Sequence, residues 1–161
     1  VTLARTVRAF GLTVRVESDA PDLFGLLGRR LPDFPETSAD AAPAFAYRVK
    51  VRAGGGALVL RGRRTIAAAP DVPAACECLV TDLQTTMARR APGWTFVHAG
   101  VVAIDGRALL LPARSYAGKS TLVAALLAEG ARYSSDELAA LDATGRVHPY
   151  PRELALRTRH H

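Results

Sequence analysis

The sequence predicts an α/β chain that is α+β overall. A small N-terminal α+β lobe spans residues 1–70, a core built on a mixed sheet spans residues 71–157, and a short tail, 158–161, follows. Three observations predict this. Alternating apolar and polar residues mark strands in the first third, a long helical pattern opens at residue 71, and a strand, a glycine-containing loop and an apolar helix follow one another between Arg107 and Gly130. Of the 161 residues 49% are apolar and 22% charged, which is enough hydrocarbon for a proper core and excludes wholesale disorder.

In the first lobe, Leu12 to Val16 alternates as a half-buried strand does. Leu23, Leu26, Leu27 and Leu31 recur at helical spacing, predicting a helix over 21–31 capped by Asp19 or Asp22. Residues 32–44, rich in Pro, Asp, Ser and Ala, read as a loop. A hairpin follows: Ala46 to Val51 and Ala57 to Arg61 flank the turn Gly54-Gly55-Gly56, with Tyr47, Val49 and Val51 on one face and Arg48, Lys50 and Arg52 on a wet one. With Arg61, Arg63 and Arg64 these basic residues form a face suited to an acidic partner, or simply a solvated one.

From Asp71 to Ala91 the pattern is helical, opened by Val72 or Pro73, with Cys76, Leu79, Val80, Leu83 and Met87 at three- and four-residue intervals, as in a packing helix. Pro92-Gly93 stops it. Trp94 to Ile104 then reads as one strand, turning at Asp105-Gly106 into a second, Arg107 to Leu111. The run Ala108-Leu109-Leu110-Leu111 predicts a strand buried on both faces.

No run approaches the roughly 18 apolar residues that a membrane helix needs, and the N-terminal residues lack the order of a secretory signal, so a cytoplasmic protein without membrane contact is expected. Cys76 and Cys78 sit two apart in a helix, point to different faces and lack the further cysteines of a zinc site. His160 and His161 are a terminal pair, which leaves His98 and His148. The net charge is +6, but the basic residues are dispersed and all but two are arginine, so nucleic acid is not an expected partner. The two lysines are Lys50 and Lys119.

Lys119 stands where chemistry needs it. The apolar strand runs into Pro112-Ala113-Arg114-Ser115-Tyr116-Ala117-Gly118-Lys119-Ser120-Thr121, and an apolar helix, Leu122 to Leu127, continues until Gly130. A strand, a loop ending Gly-Lys-Ser and a helix are the context of a phosphate-binding loop. The helix N-terminus offers unpaired N–H groups and a partial positive charge, to which the loop from Ala113 to Ala117 adds backbone donors. Gly118 lets the backbone approach closely, Lys119 neutralises the β- and γ-phosphates, Ser120 offers a hydroxyl to Mg²⁺, and Thr121 can reach a phosphate oxygen. Ala113 replaces the first glycine of the motif. If that position required φ > 0, alanine would cost roughly 1 kcal/mol or more and leave a looser loop. Without chemistry, the same residues are a helix start.

From Trp94 to Arg157 the residues resemble the HPr kinase/phosphorylase family and its HPr-kinase-like relatives. The resemblance rests on Phe96-Val97-His98-Ala99-Gly100, the Ala-Gly-Lys-Ser-Thr loop, Tyr133-Ser134-Ser135-Asp136-Glu137 and Pro149-Tyr150-Pro151-Arg152, in that order. It implies a P-loop kinase fold with ATP and Mg²⁺. It makes Asp136 the base that takes a proton from a serine hydroxyl and Glu137 a metal-associated carboxylate, in place of the family's second aspartate. His98 matches a histidine placed to contact the catalytic carboxylate or phosphate, so that Asp136, His98 and Lys119 form the expected catalytic set. Read structurally, Asp136-Glu137 is a solvated turn and His98 a strand histidine. Arg114 and Arg152 are weaker phosphate candidates, and no role is argued for His148 or Tyr150. The family's kinase domains continue beyond the Pro-Arg segment, so the core reads as shortened at its C-terminus.

The expected activity is therefore transfer of phosphate from ATP to a serine of a protein or peptide, with the peptide-tailoring branch, which includes lasso-peptide enzymes, preferred over carbohydrate regulation. The alternatives are a P-loop ATPase or nucleotide switch, and a non-catalytic basic binding module. The resemblance leaves room for a homo-oligomer.

Overall fold

The computed structural model describes residues 1–113, 117–135 and 138–150. The chain divides into two compact units, one ending at Pro92 and the other beginning at Gly93. The described residues form an α+β fold, with several sheets and three helices among them.

In the first unit, β1 (Leu3–Ala9) and β2 (Leu12–Ser18) form a hairpin around Phe10 and Gly11. Their φ values of 50° and 77° suit the two left-handed positions of a tight turn whose twist matches the strands. α1 (Leu23–Gly28) follows, then β3 (Phe45–Val51), which pairs in parallel with β2. The turn Gly54–Gly56, all at positive φ, leads into β4 (Ala57–Arg61), and β5 (Arg64–Ala69) completes a five-stranded sheet in the order β1-β2-β3-β4-β5. α2 (Val72–Arg90) is capped by Asp71, whose carboxylate accepts from the Ala74 N–H at 2.7 Å. Its buried stripe, Leu79, Leu83 and Met87 among it, supplies the core that Val14, Val49 and Val59 line from the strands. Because α2 packs on β3, β4 and β5, the division falls after this helix and not at residue 70.

Several expectations change here. α1 is shorter than 21–31, since Gly25 and Gly28 weaken the helix and Pro32 follows it. Asp22 is its N-cap residue but makes no capping bond, while Asp19 accepts from the Val51 N–H at 2.8 Å. The predicted basic face is divided. Arg48 and Lys50 lie on the exposed side, where Arg48 pairs with Glu17 on β2, and Arg61 turns to the α2 side and pairs with Asp82. Arg48, with Arg15 beside it, lowers the pKa of the Glu17 carboxyl from its ordinary value through hydrogen bonds to the charged form.

The described residues of the second unit form two antiparallel sheets. One has the order β8-β7-β9, from β7 (Ala99–Ile104), β8 (Arg107–Pro112) and β9 (Arg132–Ser135); the other has the order β11-β10-β6, from β6 (Thr95–Val97), β10 (Ala139–Leu141) and β11 (Val147–His148). The mixed sheet expected here is thus found in the first unit, and the described strands of the second pair only antiparallel. The single strand expected from Trp94 to Ile104 is two strands: the chain leaves one sheet and enters the other at His98. Among the described strands β8 lies at an edge and is not buried on both faces; Leu109 is 41% exposed. The second hairpin, β10–β11, is held by Asp142, which accepts from Thr144 and Arg146 in the turn and from the ring of His148, 2.7 Å away.

α3 (Lys119–Ala128) connects β8 to β9. Both strands run antiparallel to β7, which lies between them, so β8 and β9 are parallel to each other and α3 crosses over the central strand. The crossing is close. A Cβ built on Gly100 of β7 would lie 2.8 Å from Val123 Cγ2, so the glycine is what lets the helix seat. Val123 is buried, whereas Leu122 is 48% exposed, although α3 is apolar around its whole circumference.

Candidate phosphate-binding site

The antiparallel register sets the geometry of the site. The start of β7 lies opposite the end of β8, where Ala99 pairs with Pro112, and beside the end of β9, where Val101 pairs with Ser135. His98, just before β7, and Ala113, just after β8, therefore share one end of the sheet. The carboxyl ends of parallel strands, where connecting loops open, are the usual place for ligands in such layers.

Gly118 is the N-cap of α3, with φ of 85°, a left-handed conformation that a side chain would strain. It turns the chain so that the helix begins at Lys119, three residues earlier than the apolar pattern predicts. The first N–H groups of α3 have no acceptor within the helix, and its first turn carries no acidic residue to compete with a bound anion.

The lysine side chain reaches back to the end of β8. Lys119 Nζ donates to the Ala113 carbonyl at 3.0 Å and lies 2.6 Å from His98 Nε2. An ammonium has no lone pair, so in a hydrogen bond between the two the lysine donates and the histidine nitrogen accepts. Three chain segments separated in sequence thus converge on one cation: the β6–β7 junction, the end of β8 and the start of α3. Ala113 is not among the residues with positive φ, so the alanine at the motif's first position sits there without left-handed strain.

The structure brings together His98, Ala113, Gly118 and Lys119; Ala117, Ser120 and Thr121 adjoin them along the chain. Arg114, Ser115, Tyr116, Asp136, Glu137 and Arg152 lie outside the described residues. The neighbours of the acidic pair are described: Ser135 Oγ accepts from the Leu138 N–H at 3.1 Å. The donors present fit a phosphate group. For magnesium, Ser120 is the described member of the expected pair, and no cluster of three acidic, histidine or cysteine side chains suited to a metal occurs among the described residues. Sequence reasoning did not find the Ala113 carbonyl as a lysine anchor, nor Gly100 as the contact that seats α3. A glycine inside an apolar strand was the available signal for the second.

No family model, curated protein or solved structure matches this chain.

Proposed function

We propose that the chain is an HPr-kinase-like, ATP-dependent kinase acting on a serine hydroxyl of a protein or peptide. The observation that carries the reading is the convergence of Lys119 on Ala113 and His98 above a helix that begins at a left-handed glycine.

ATP would supply the phosphoryl group, and Ser120 and Glu137 would hold Mg²⁺, which would neutralise phosphate charge. Lys119 and the α3 N–H groups stabilise the negative charge that develops on the transferred group. His98 orients Lys119, and Asp136 accepts the hydroxyl proton, a role that rests on the resemblance.

The test is to incubate the protein with γ-labelled ATP, Mg²⁺ and serine-containing peptides and to follow the label. Label on peptide, lost in Lys119→Ala, is the expected result. Label released only as free phosphate makes the protein an ATPase, and no Lys119-dependent turnover or binding overturns the reading.

A further inference from the structure

A cavity of about 220 Å³ opens in the first unit, between β1–β2, α1 and the second half of α2. Its walls are hydrocarbon: Val7 and Val14 from the sheet, Leu27 from α1, Leu83 and Met87 from α2, and Phe34 from the segment after α1. Close-packed interiors leave few voids larger than a water molecule. A dry cavity of about 150 Å³ takes one benzene ring, whereas drug-sized ligands need roughly 300 Å³ or more. The space is therefore sized for one ring or one branched chain.

The roof is in place before any ligand arrives. Arg8 N–H donates to the Pro35 carbonyl and Thr37 N–H to the Thr6 carbonyl, both at 2.9 Å, and Glu36 bridges to Val7, so the segment after α1 is tied to the edge of β1. Phe34 packs edge-on against Phe10, with 5.7 Å between ring centres. At the opening, Gly28 has an ordinary backbone, and a Cβ added to it would meet nothing within 4 Å. Neither conformation nor packing requires glycine there, in a helix that alanine would favour. What the glycine leaves is room.

The rim carries Arg5, Asp33 and Glu36. Arg5 is occupied: Nε is 3.6 Å from Glu36 Oε1, and the guanidinium lies 5.2 Å above the Phe24 ring. Asp33 is exposed and forms no ion pair among the described residues. One cation against two carboxylates leaves the rim with a net negative charge.

We propose that this cavity binds a compact apolar amine, one aromatic ring or branched chain whose cationic group rests on Asp33 and Glu36. The site is separate from the phosphate loop and does not depend on its function.

Benzylamine, benzyl alcohol and benzoate are the probes, titrated into the full chain and followed by amide NMR shifts. Benzylamine should give saturable shifts at Val14, Leu27, Phe34 and Met87 and bind about threefold tighter than benzyl alcohol, the scale of one exposed ion pair, with benzoate weakest. The surface variant Asp33→Asn/Glu36→Gln should remove the preference for the amine, and Val7→Phe, folded by circular dichroism, should abolish binding. If Val7→Phe does not fold, the map of shifts in the wild-type protein decides the location. Absence of saturable shifts, shifts mapping elsewhere, or benzoate binding as tightly as benzylamine overturns the proposal.

Discussion

Lys119 Nζ lies 2.6 Å from His98 Nε2; the histidine stands just before β7 and the lysine opens α3, the helix that crosses over that strand. This pairing holds the ammonium between His98 and the Ala113 carbonyl, and a phosphate oxygen would compete for the same donor. Calorimetric titration of ATP with Mg²⁺ should show affinity falling about 10- to 100-fold in Lys119→Ala, the value of one or two charge-assisted hydrogen bonds. His98→Ala should cost less, because it removes an orienting contact and not the charge. Equal losses in the two variants would mean that His98 itself touches the nucleotide.

Gly100 and Gly25 should respond in opposite directions to the same substitution. Gly100→Ala drives a methyl into Val123, a short branched side chain that is itself buried, and should destabilise the second unit by about 1–3 kcal/mol. Gly25 has open space around it and an ordinary backbone, so Gly25→Ala should be neutral or stabilise by up to about 1 kcal/mol. Urea unfolding of each variant measures both; a stabilised Gly100→Ala would mean that α3 does not cross β7 as described.

The two cysteines should differ in reactivity. Cys76 is fully buried, and burial pushes its thiol up to about 11, so little thiolate forms at neutral pH. Cys78, two residues on, is partly exposed. A disulfide reagent should modify Cys78 in the native protein and Cys76 only upon unfolding, with peptide mapping to assign them.

Alkaline pH should act through Tyr47. Burial, reinforced by the Asp82 carboxylate that accepts its hydroxyl hydrogen bond at 2.8 Å, pushes the phenol up to about 12 from an ordinary value near 10. The fold thus favours the neutral phenol. Its contribution is complete below pH 10 and disappears as pH rises toward 12. In an absorbance titration near 295 nm, Tyr47 should ionise in a late step that coincides with unfolding. Tyr47→Phe should lose that late step.

The parts legible in the sequence were those governed by local chemistry. Gly54–Gly56 marked the β3–β4 hairpin, Asp71 with Pro73 marked the start of α2, and Gly118-Lys119-Ser120 marked the junction before α3, whose first turn the apolar pattern placed three residues late. The misread parts depended on which elements meet. Phe96 to Gly100 is a continuous β-favouring run, and nothing in it reveals that the chain changes sheets at His98. Ala108 to Leu111 has the hydrocarbon of a central strand, yet pairing places it at an edge. β1 was missed because arginines interrupt its alternation, and Arg5, on its inward face, serves the cavity rim. At the candidate site, residue types and spacing indicated Lys119, but the carbonyl that anchors it became visible only when the strands were placed side by side.

α3 presents hydrocarbon to water on sides where a surface helix normally carries charge, with Leu122 the most open of its leucines. Salts excluded from protein surfaces strengthen the drive to hide such area, and sulfate or phosphate buffers do so most strongly. Light scattering in rising ammonium sulfate should therefore show self-association, and Leu122→Lys should delay its onset. Buffer choice is consequently part of any nucleotide titration, because α3 begins at the lysine that the nucleotide is expected to reach.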